Sequence, residues 1–218
     1  MSFDPDASRF RTFGRAKGRT LSPAQAALME AHWPRLDIRP GDPLPPAPCW
    51  LEIGFGTGTH LLHIARENPD VSVIGAEPFL NGTAKAVKGV ADEGLKNVRL
   101  FRGDVRELMA EMPDASLARV FILFPDPWPK ARHNKRRLVR GAFVGELHRV
   151  VEPGGTVLFA SDIDHYVDWA LVRFRRHGGW SWDGREPTTP PNGWPGTKYE
   201  AKARREGRTP RWFRFVRQ

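Results

Sequence analysis

Cysteine is nearly absent: Cys49 is the single one in 218 residues. No internal disulfide can form, and a chain of this kind suits a reducing compartment. Cys49 lies in an apolar run and reads as core packing. Long hydrophobic stretches are absent too. None approaches the roughly 18 residues that a membrane helix needs, and the start, MSFDPDASRF, lacks the basic-then-apolar order of an export signal. No membrane association is expected, and the cytoplasm is the expected location. Neither HExxH nor paired His and Cys at ligand spacing occurs, so no metal is expected. Internal repeats and low-complexity segments are missing as well. Acid is in deficit: Lys and Arg outnumber Asp and Glu by 34 to 25, a net charge of +9. Such a surface attracts polyanions, and nucleic acid is the leading partner class.

What remains has room for one sizeable α/β core rather than two independent domains. Residues 9–19, RFRTFGRAKGR, carry five Arg and Lys without an acid and read as a basic arm. RPGDPLPPAP, 39–48, reads as a linker, because proline withholds the donors that a helix or inner strand needs. Arm and linker are therefore expected over 1–48, and one domain over 49–218. Strand candidates are 49–53, 71–77, 97–101, 118–124 and 155–160, alternating with helical patterns. Between the last two, Leu138, Ala142, Phe143, Leu147 and Val150 recur at helical spacing, and EPGG supplies the stop. This order predicts a doubly wound, mostly parallel sheet. A final run, RWFRFVR, adds an edge strand, antiparallel to its neighbour.

Ligands of an open parallel sheet bind at the carboxyl ends of its strands. The residues there are Glu52, Glu77, Asp104, Asp126 and Asp162, all acids in a basic chain. One acid after a strand is an ordinary cap or turn residue. Five in succession would repel one another without a cationic or donor-rich ligand. The first strand leads into EIGFGTG, where Gly54, Gly56 and Gly58 admit a tight turn and a close ligand. The dinucleotide fingerprint wants a small residue five places after its first glycine, and Thr59 stands there. Glu52 also disfavours a pyrophosphate. S-adenosylmethionine fits better, since its sulfonium, ammonium, ribose diol and adenine amine all seek acceptors. Glu77 follows the second strand where an acid can hold a ribose, Asp104 is placed for the adenine amine, and Glu52 for the methionine end. With EIGFGTG and GAE, the chain resembles the class I methyltransferases. The resemblance implies a Rossmann-like, seven-stranded, mostly parallel sheet with an antiparallel C-terminal strand.

LFPDPWPKARHNKRR, 123–137, sets prolines at 125, 127 and 129 around Asp126 and Trp128, then turns basic. The prolines fix φ on alternate residues and leave the loop little entropy to lose. Lys130, Arg132, Lys135, Arg136, Arg137 and Arg140 form the densest cationic cluster, with Trp128 and His133 for stacking, a combination suited to RNA. A carboxylate beside a purine can stabilise charge that develops on the ring. Guanine N7 carries a lone pair and no proton, so its methylation needs no general base. FPDPWPKARHNKRR, together with GTKYE at 196–200 and FGRAKGRTLSPAQ near the start, resembles the bacterial tRNA (guanine-N7)-methyltransferases. The resemblance implies transfer from S-adenosylmethionine to a guanosine in the tRNA variable loop. It places Glu52, Gly54, Gly56, Gly58, Glu77, Asp104 and Asp126 at the cofactor, with Asp126 catalytic. Lys130, Asp162, Thr197, Lys198, Tyr199 and Glu200 would bind the guanosine and its backbone. Arg132, His133, Asn134, Lys135, Arg136 and Arg137 would touch RNA.

The segment 186–200, EPTTPPNGWPGTKYE, reads as a long irregular loop over the target base, with Trp194 or Tyr199 stacking and Glu200 or Asp162 accepting. The loop 128–140 reads as the RNA-binding segment. A nicotinamide-dependent oxidoreductase and a non-catalytic RNA-binding protein are the competing readings. Thr59 and the acidic strand ends weigh against the first, the intact set of carboxylates against the second. Monomer and weak homodimer stay open.

Overall fold

Strands of a parallel sheet are covered on both faces and must be apolar almost throughout, and the runs marked by the sequence meet that demand. The computed structural model describes residues 10, 13, 14, 16 and 18–218; Arg9, Arg11, Arg15 and Lys17 of the basic arm lie outside the described residues. Two compact units divide the chain, one up to Met112 and one from Pro113 to Gln218. Seven strands form one sheet in the order β3-β2-β1-β4-β5-β7-β6.

The first unit contains α1 (Pro23–Leu36), β1 (Cys49–Ile53), α2 (Thr59–Glu67), β2 (Ser72–Ala76), α3 (Leu80–Asp92), β3 (Val98–Phe101) and α4 (Val105–Ala110). β2 pairs in parallel with both β1 and β3. Leu51, Val73, Ile74, Val98 and Leu100 have no exposed surface, as expected of strands buried from both sides. α1 arises inside the segment expected to be arm and linker. Ser22 and Gln25 form a reciprocal capping box ahead of Pro23 at the first helical position. Beyond the helix, Ile38 N–H donates to the Leu100 carbonyl, tying this segment to β3.

The second unit contains β4 (Leu117–Leu123), a 3-10 helix (Ala131–Arg136), α5 (Gly141–Val150), β5 (Val151–Ser161), α6 (Asp164–His177), β6 (Trp180–Trp182), α7 (Lys198–Arg205) and β7 (Arg211–Arg217). β4 and β5 are parallel, and β7 runs antiparallel to β5 and β6. Three expectations need correction. RWFRFVR is antiparallel but not an edge strand, since β6 pairs along its other side. EPGG follows the end of α5 but lies within β5: Leu117 pairs with Val151 and Arg119 with Thr156, so the intervening residues bulge. The 186–200 segment is not irregular to its end, because α7 starts at Lys198 with the Thr197 hydroxyl accepting from Glu200 N–H.

α3 lies close against the turn after β1. A Cβ on Gly82 would lie 2.2 Å from the Gly56 carbonyl oxygen, well inside contact distance. Alanine ordinarily gains about 1 kcal/mol over glycine within a helix. A clash with backbone costs more, about 1–3 kcal/mol. Gly82→Ala should therefore lower the urea midpoint despite its better helix propensity; an unchanged or raised midpoint would contradict the packing.

Candidate functional site

In the first unit, the chain leaves β1 through Gly54, Gly56 and Gly58 at φ of 73°, 59° and 83°, a left-handed series that side-chain-bearing residues adopt at a cost. Gly58 then serves as N-cap of α2. Glu77, directly after β2, holds this turn in shape. One of its oxygens accepts from Gly56 N–H at 2.7 Å and the other from Phe79 N–H at 2.9 Å. Glu52 faces His60 on the first turn of α2, Oε2 to Nδ1 at 2.9 Å, with the two residues only 3% and 5% exposed. Asp104 caps α4 by accepting from Arg106 N–H, and its carboxylate also takes the Arg106 side chain at 2.8 and 2.6 Å. The Arg106 guanidinium rests 4.8 Å from the centre of the Phe10 ring. This geometry favours capping as the role of Asp104 over the expected adenine contact.

The residues present fit S-adenosylmethionine in two respects. A Cβ at Gly54 would meet nothing within 4 Å, so the turn leaves open room beside the end of β1. A carboxylate offers about four lone-pair sites, so Glu77 can accept hydroxyl donors beside its backbone ones. Away from these acids, an open groove of about 580 Å³ bordered by Pro46, Arg66, Ser72 and Lys96 takes in none of the five.

In the second unit, the backbone leaves β4 through Phe124, at φ 51°, and passes Trp128, at φ 44°. Bulky side chains rarely adopt such values, and each costs about 1–3 kcal/mol. Pro125, Asp126 and Pro127 lie between these two left-handed residues. Asp126 makes no hydrogen bond or ion pair among the described residues. Surrounding protein partly strips its carboxyl of water and raises its pKa above the usual carboxylate value, while the residue stays accessible overall. Asp162, directly after β5, is by contrast paired with Arg208 at 2.5 Å.

Mutual repulsion among five naked acids, the expectation from sequence, is thus largely relieved by the protein itself. Glu52 has His60, Glu77 has two backbone donors, Asp104 has Arg106 and Asp162 has Arg208. Asp126 stands apart. His60, Arg106 and Arg208 were not found by sequence reasoning, and only Arg106, two places after a capping acid, carried a local signal.

Glu200 is buried in the first turn of α7. Its Oε2 accepts from the Trp194 indole N–H at 2.5 Å and its Oε1 from Arg204 Nε at 3.0 Å. The Trp194 ring meets Trp212 edge-on at 5.7 Å, and Trp212 meets Phe124 in the same way at 6.4 Å. Glu200 is thereby linked through aromatic contacts to the turn that carries Asp126. Thr197 is the α7 cap, its hydroxyl accepting from Glu200 N–H, whereas Lys198 and Tyr199 are exposed, with the Lys198 ammonium 4.8 Å from the Tyr199 ring centre.

Among the expected RNA contacts, Lys130, Arg132 and Lys135 are exposed, and Asn134 is half-buried. Trp128 gathers Arg136 over its face at 4.9 Å and His133 edge-on at 5.7 Å. Desolvation, followed by the charges of Arg136, Arg132, Lys130 and Lys135, holds His133 below its ordinary pKa. Arg137 corrects the expectation. Its residue surface is 4% exposed, and its guanidinium donates to the Pro127 and Trp128 carbonyls.

A family model described as "Putative methyltransferase" matches residues 46–211. A protein of Rhizobium johnstonii named tRNA (guanine-N(7)-)-methyltransferase is 43% identical, with 93% of each chain covered. One of the same name from Caulobacter sp. is 46% identical over 88% of each chain. The chain belongs to the tRNA (guanine-N7)-methyltransferase family. Among solved structures, the 16S rRNA methyltransferase KamB aligns with a TM-score of 0.58 at 16% identity, covering 92% of this chain and 95% of that one. The aminoglycoside resistance methyltransferase NpmB1 aligns with a TM-score of 0.55 at 20% identity, covering 78% and 87%. These two likenesses show the class I methyltransferase fold.

The contact between Trp194 and Glu200 can be tested alone. Trp194→Phe keeps a ring and removes the N–H, so Glu200 is held by Arg204 only. A hydrogen bond to a buried carboxylate contributes about 1.5–3 kcal/mol, and urea denaturation should report a loss of that order. A variant as stable as the parent would mean that the indole N–H contributes nothing.

Proposed function

We propose that this chain transfers a methyl group from S-adenosylmethionine to N7 of a guanosine in the variable loop of tRNA. Family membership carries the reaction class, and Asp126, which has no hydrogen bond or ion pair among the described residues and sits on a strained turn, carries the assignment of the key residue. When bound, S-adenosylmethionine supplies an electrophilic methyl on a sulfonium. Gly54, Gly56 and Gly58 let the chain approach it, Glu77 meets the ribose hydroxyls, and Glu52, steadied by His60, offers negative charge toward the methionine end. Asp104 supports this side through the α4 cap.

Asp126 has the properties of an electrostatic stabiliser. It is fixed in position, spared from pairing and partly desolvated, so its charge acts at low screening on a purine that becomes cationic. No proton leaves N7, and no base is required. Lys130, Arg132 and Lys135 are exposed for phosphates, which give affinity without sequence reading. Trp128 with His133, and Tyr199 with Lys198, present aromatic surfaces for bases. Glu200 or Asp162 is the acceptor for guanine N–H groups, since a carboxylate offers about four lone-pair sites and can add a donor to those it already holds. The Trp194 contact makes Glu200 the more informative of the two: Glu200→Ala should damage methylation while S-adenosylmethionine affinity holds.

Nucleosides from tRNA incubated with the protein and S-adenosylmethionine should show 7-methylguanosine by mass spectrometry. A different methylated nucleoside, or none, would overturn the proposal. Asp126→Asn should lower kcat by about 10²–10³-fold, the usual effect of losing one preorganised electrostatic partner. The acid's pKa is raised, and its ionised form is the useful one. Activity should therefore fall as pH drops through an apparent pKa above the ordinary value of about 3.9. In a kcat/KM profile this acid limb belongs to the parent and should vanish in Asp126→Asn.

A further inference from the structure

Arg137 is a cation held inside the protein without an acid. Among the described residues it has no carboxylate partner, and a buried charge in that state is costly unless other groups solvate it. Here the solvating groups are specific. Nε donates to the Pro127 carbonyl at 2.8 Å, and the far guanidinium nitrogen donates to the Trp128 carbonyl at 3.3 Å. The guanidinium carbon lies 4.7 Å from the Trp169 ring centre and 5.3 Å from that of Tyr166, both on α6. α6 is itself anchored to the residues that follow Arg137. Trp169 Nε1–H donates to the Val139 carbonyl at 2.6 Å, and the Tyr166 hydroxyl accepts from Val139 N–H at 3.4 Å. Desolvation lowers the pKa of Arg137, in keeping with a group removed from water.

The two carbonyls it grips lie on either side of the Trp128 Cα, two residues beyond Asp126, and one of them belongs to the left-handed residue itself. Proline at 125, 127 and 129 fixes φ at those positions only. It does not impose the positive φ of Trp128, and an exposed tryptophan would leave that region. We infer that Arg137 is the positioning residue of the methyl-transfer turn: bracketed by Tyr166 and Trp169, its guanidinium holds Trp128 left-handed and so fixes where the Asp126 carboxylate points. The inference rests on the methyl-transfer reading for its kinetic consequence, but its structural half stands apart from activity.

Arg137→Ala and Arg137→Lys test both halves. Hydrogen exchange of the amides that bracket the turn, Phe124 N–H on the Ala160 carbonyl and His133 N–H on the Lys130 carbonyl, should quicken in the free protein by about 10-fold or more in Arg137→Ala, with the interior of β5 unchanged, as expected for a local opening. Millimolar guanidinium should slow it again by refilling the space between the rings. For tRNA methylation, kcat should fall by about 10²-fold, the cost of displacing a reacting group by about 1 Å. KM for tRNA should stay within about twofold and the salt dependence of KM unchanged, since no phosphate contact is lost. Guanidinium should recover part of kcat in the Ala variant and none in the parent. Lysine, which lacks the planar fork, should rescue poorly. Unchanged exchange at Phe124 and His133 would overturn the inference whether or not the protein methylates tRNA. A raised KM with a salt slope lower by about one and kcat intact would also overturn it, by making Arg137 a phosphate contact.

Discussion

Two non-glycine residues, Phe124 and Trp128, hold a left-handed backbone on either side of Asp126. A peptide in water would relax both, so something outside the turn must hold them. Phe124 is anchored by its N–H to the Ala160 carbonyl and by its ring against Trp212. Trp128 is anchored by the inward guanidinium and by Arg136 over its indole. The turn is thus fastened at one end to β5 and β7 and at the other to α6. Its stiffness is borrowed from the densest part of the second unit, where Tyr166, Phe159 and Phe174 are fully enclosed. An acid without a hydrogen bond or ion pair among the described residues needs such a mount, because a pliable loop would fold it onto one of the neighbouring cations.

The remaining strand-end acids show the other outcome. Each has been given a donor by its own unit, and the donor decides its rigidity. Glu77 and the glycine turn are joined by a backbone hydrogen bond, so the acid and the turn form one piece. Asp104 and Asp162 are joined to arginines and keep their charge locally balanced. Net positive charge therefore concentrates elsewhere, on Lys130, Arg132 and Lys135 along the 3-10 helix. Exposed cations and strand-end acids coexist because the two kinds of charge are segregated along the chain.

Much of this was legible in the sequence, and the failures have physical causes. β1 to β5 could be located because strands buried on both faces are apolar throughout and end at turn residues. β6 was missed because three residues, Trp180, Ser181 and Trp182, carry no periodicity, and without it the C-terminal strand was assigned to an edge. α1 was missed beside a proline-rich segment although Ser22, Pro23 and Gln25 spell a helix start. Thr197 and Glu200 likewise have the spacing of a capping box and were read as loop. At the site, strand-end position revealed the acids, but their partners arrive from other elements and leave no local pattern. Arg136 and Arg137 are identical letters side by side; one covers an indole at the surface and the other is enclosed, a distinction made by Tyr166 and Trp169 about 30 residues away.

The strand order β5-β7-β6 puts a late-made segment between two earlier ones. While the chain is being synthesised, the outer side of β5, including Val157 and Phe159, has no neighbour, and Trp180–Trp182 has nothing to pair with until Arg211–Arg217 emerges. The first unit and the β4–β5 pair can form from what precedes them, whereas closure of this flank waits for the last strand of the sheet. Nascent molecules therefore pass through a stage with an open apolar edge, the state most exposed to association with other chains and most in need of shielding.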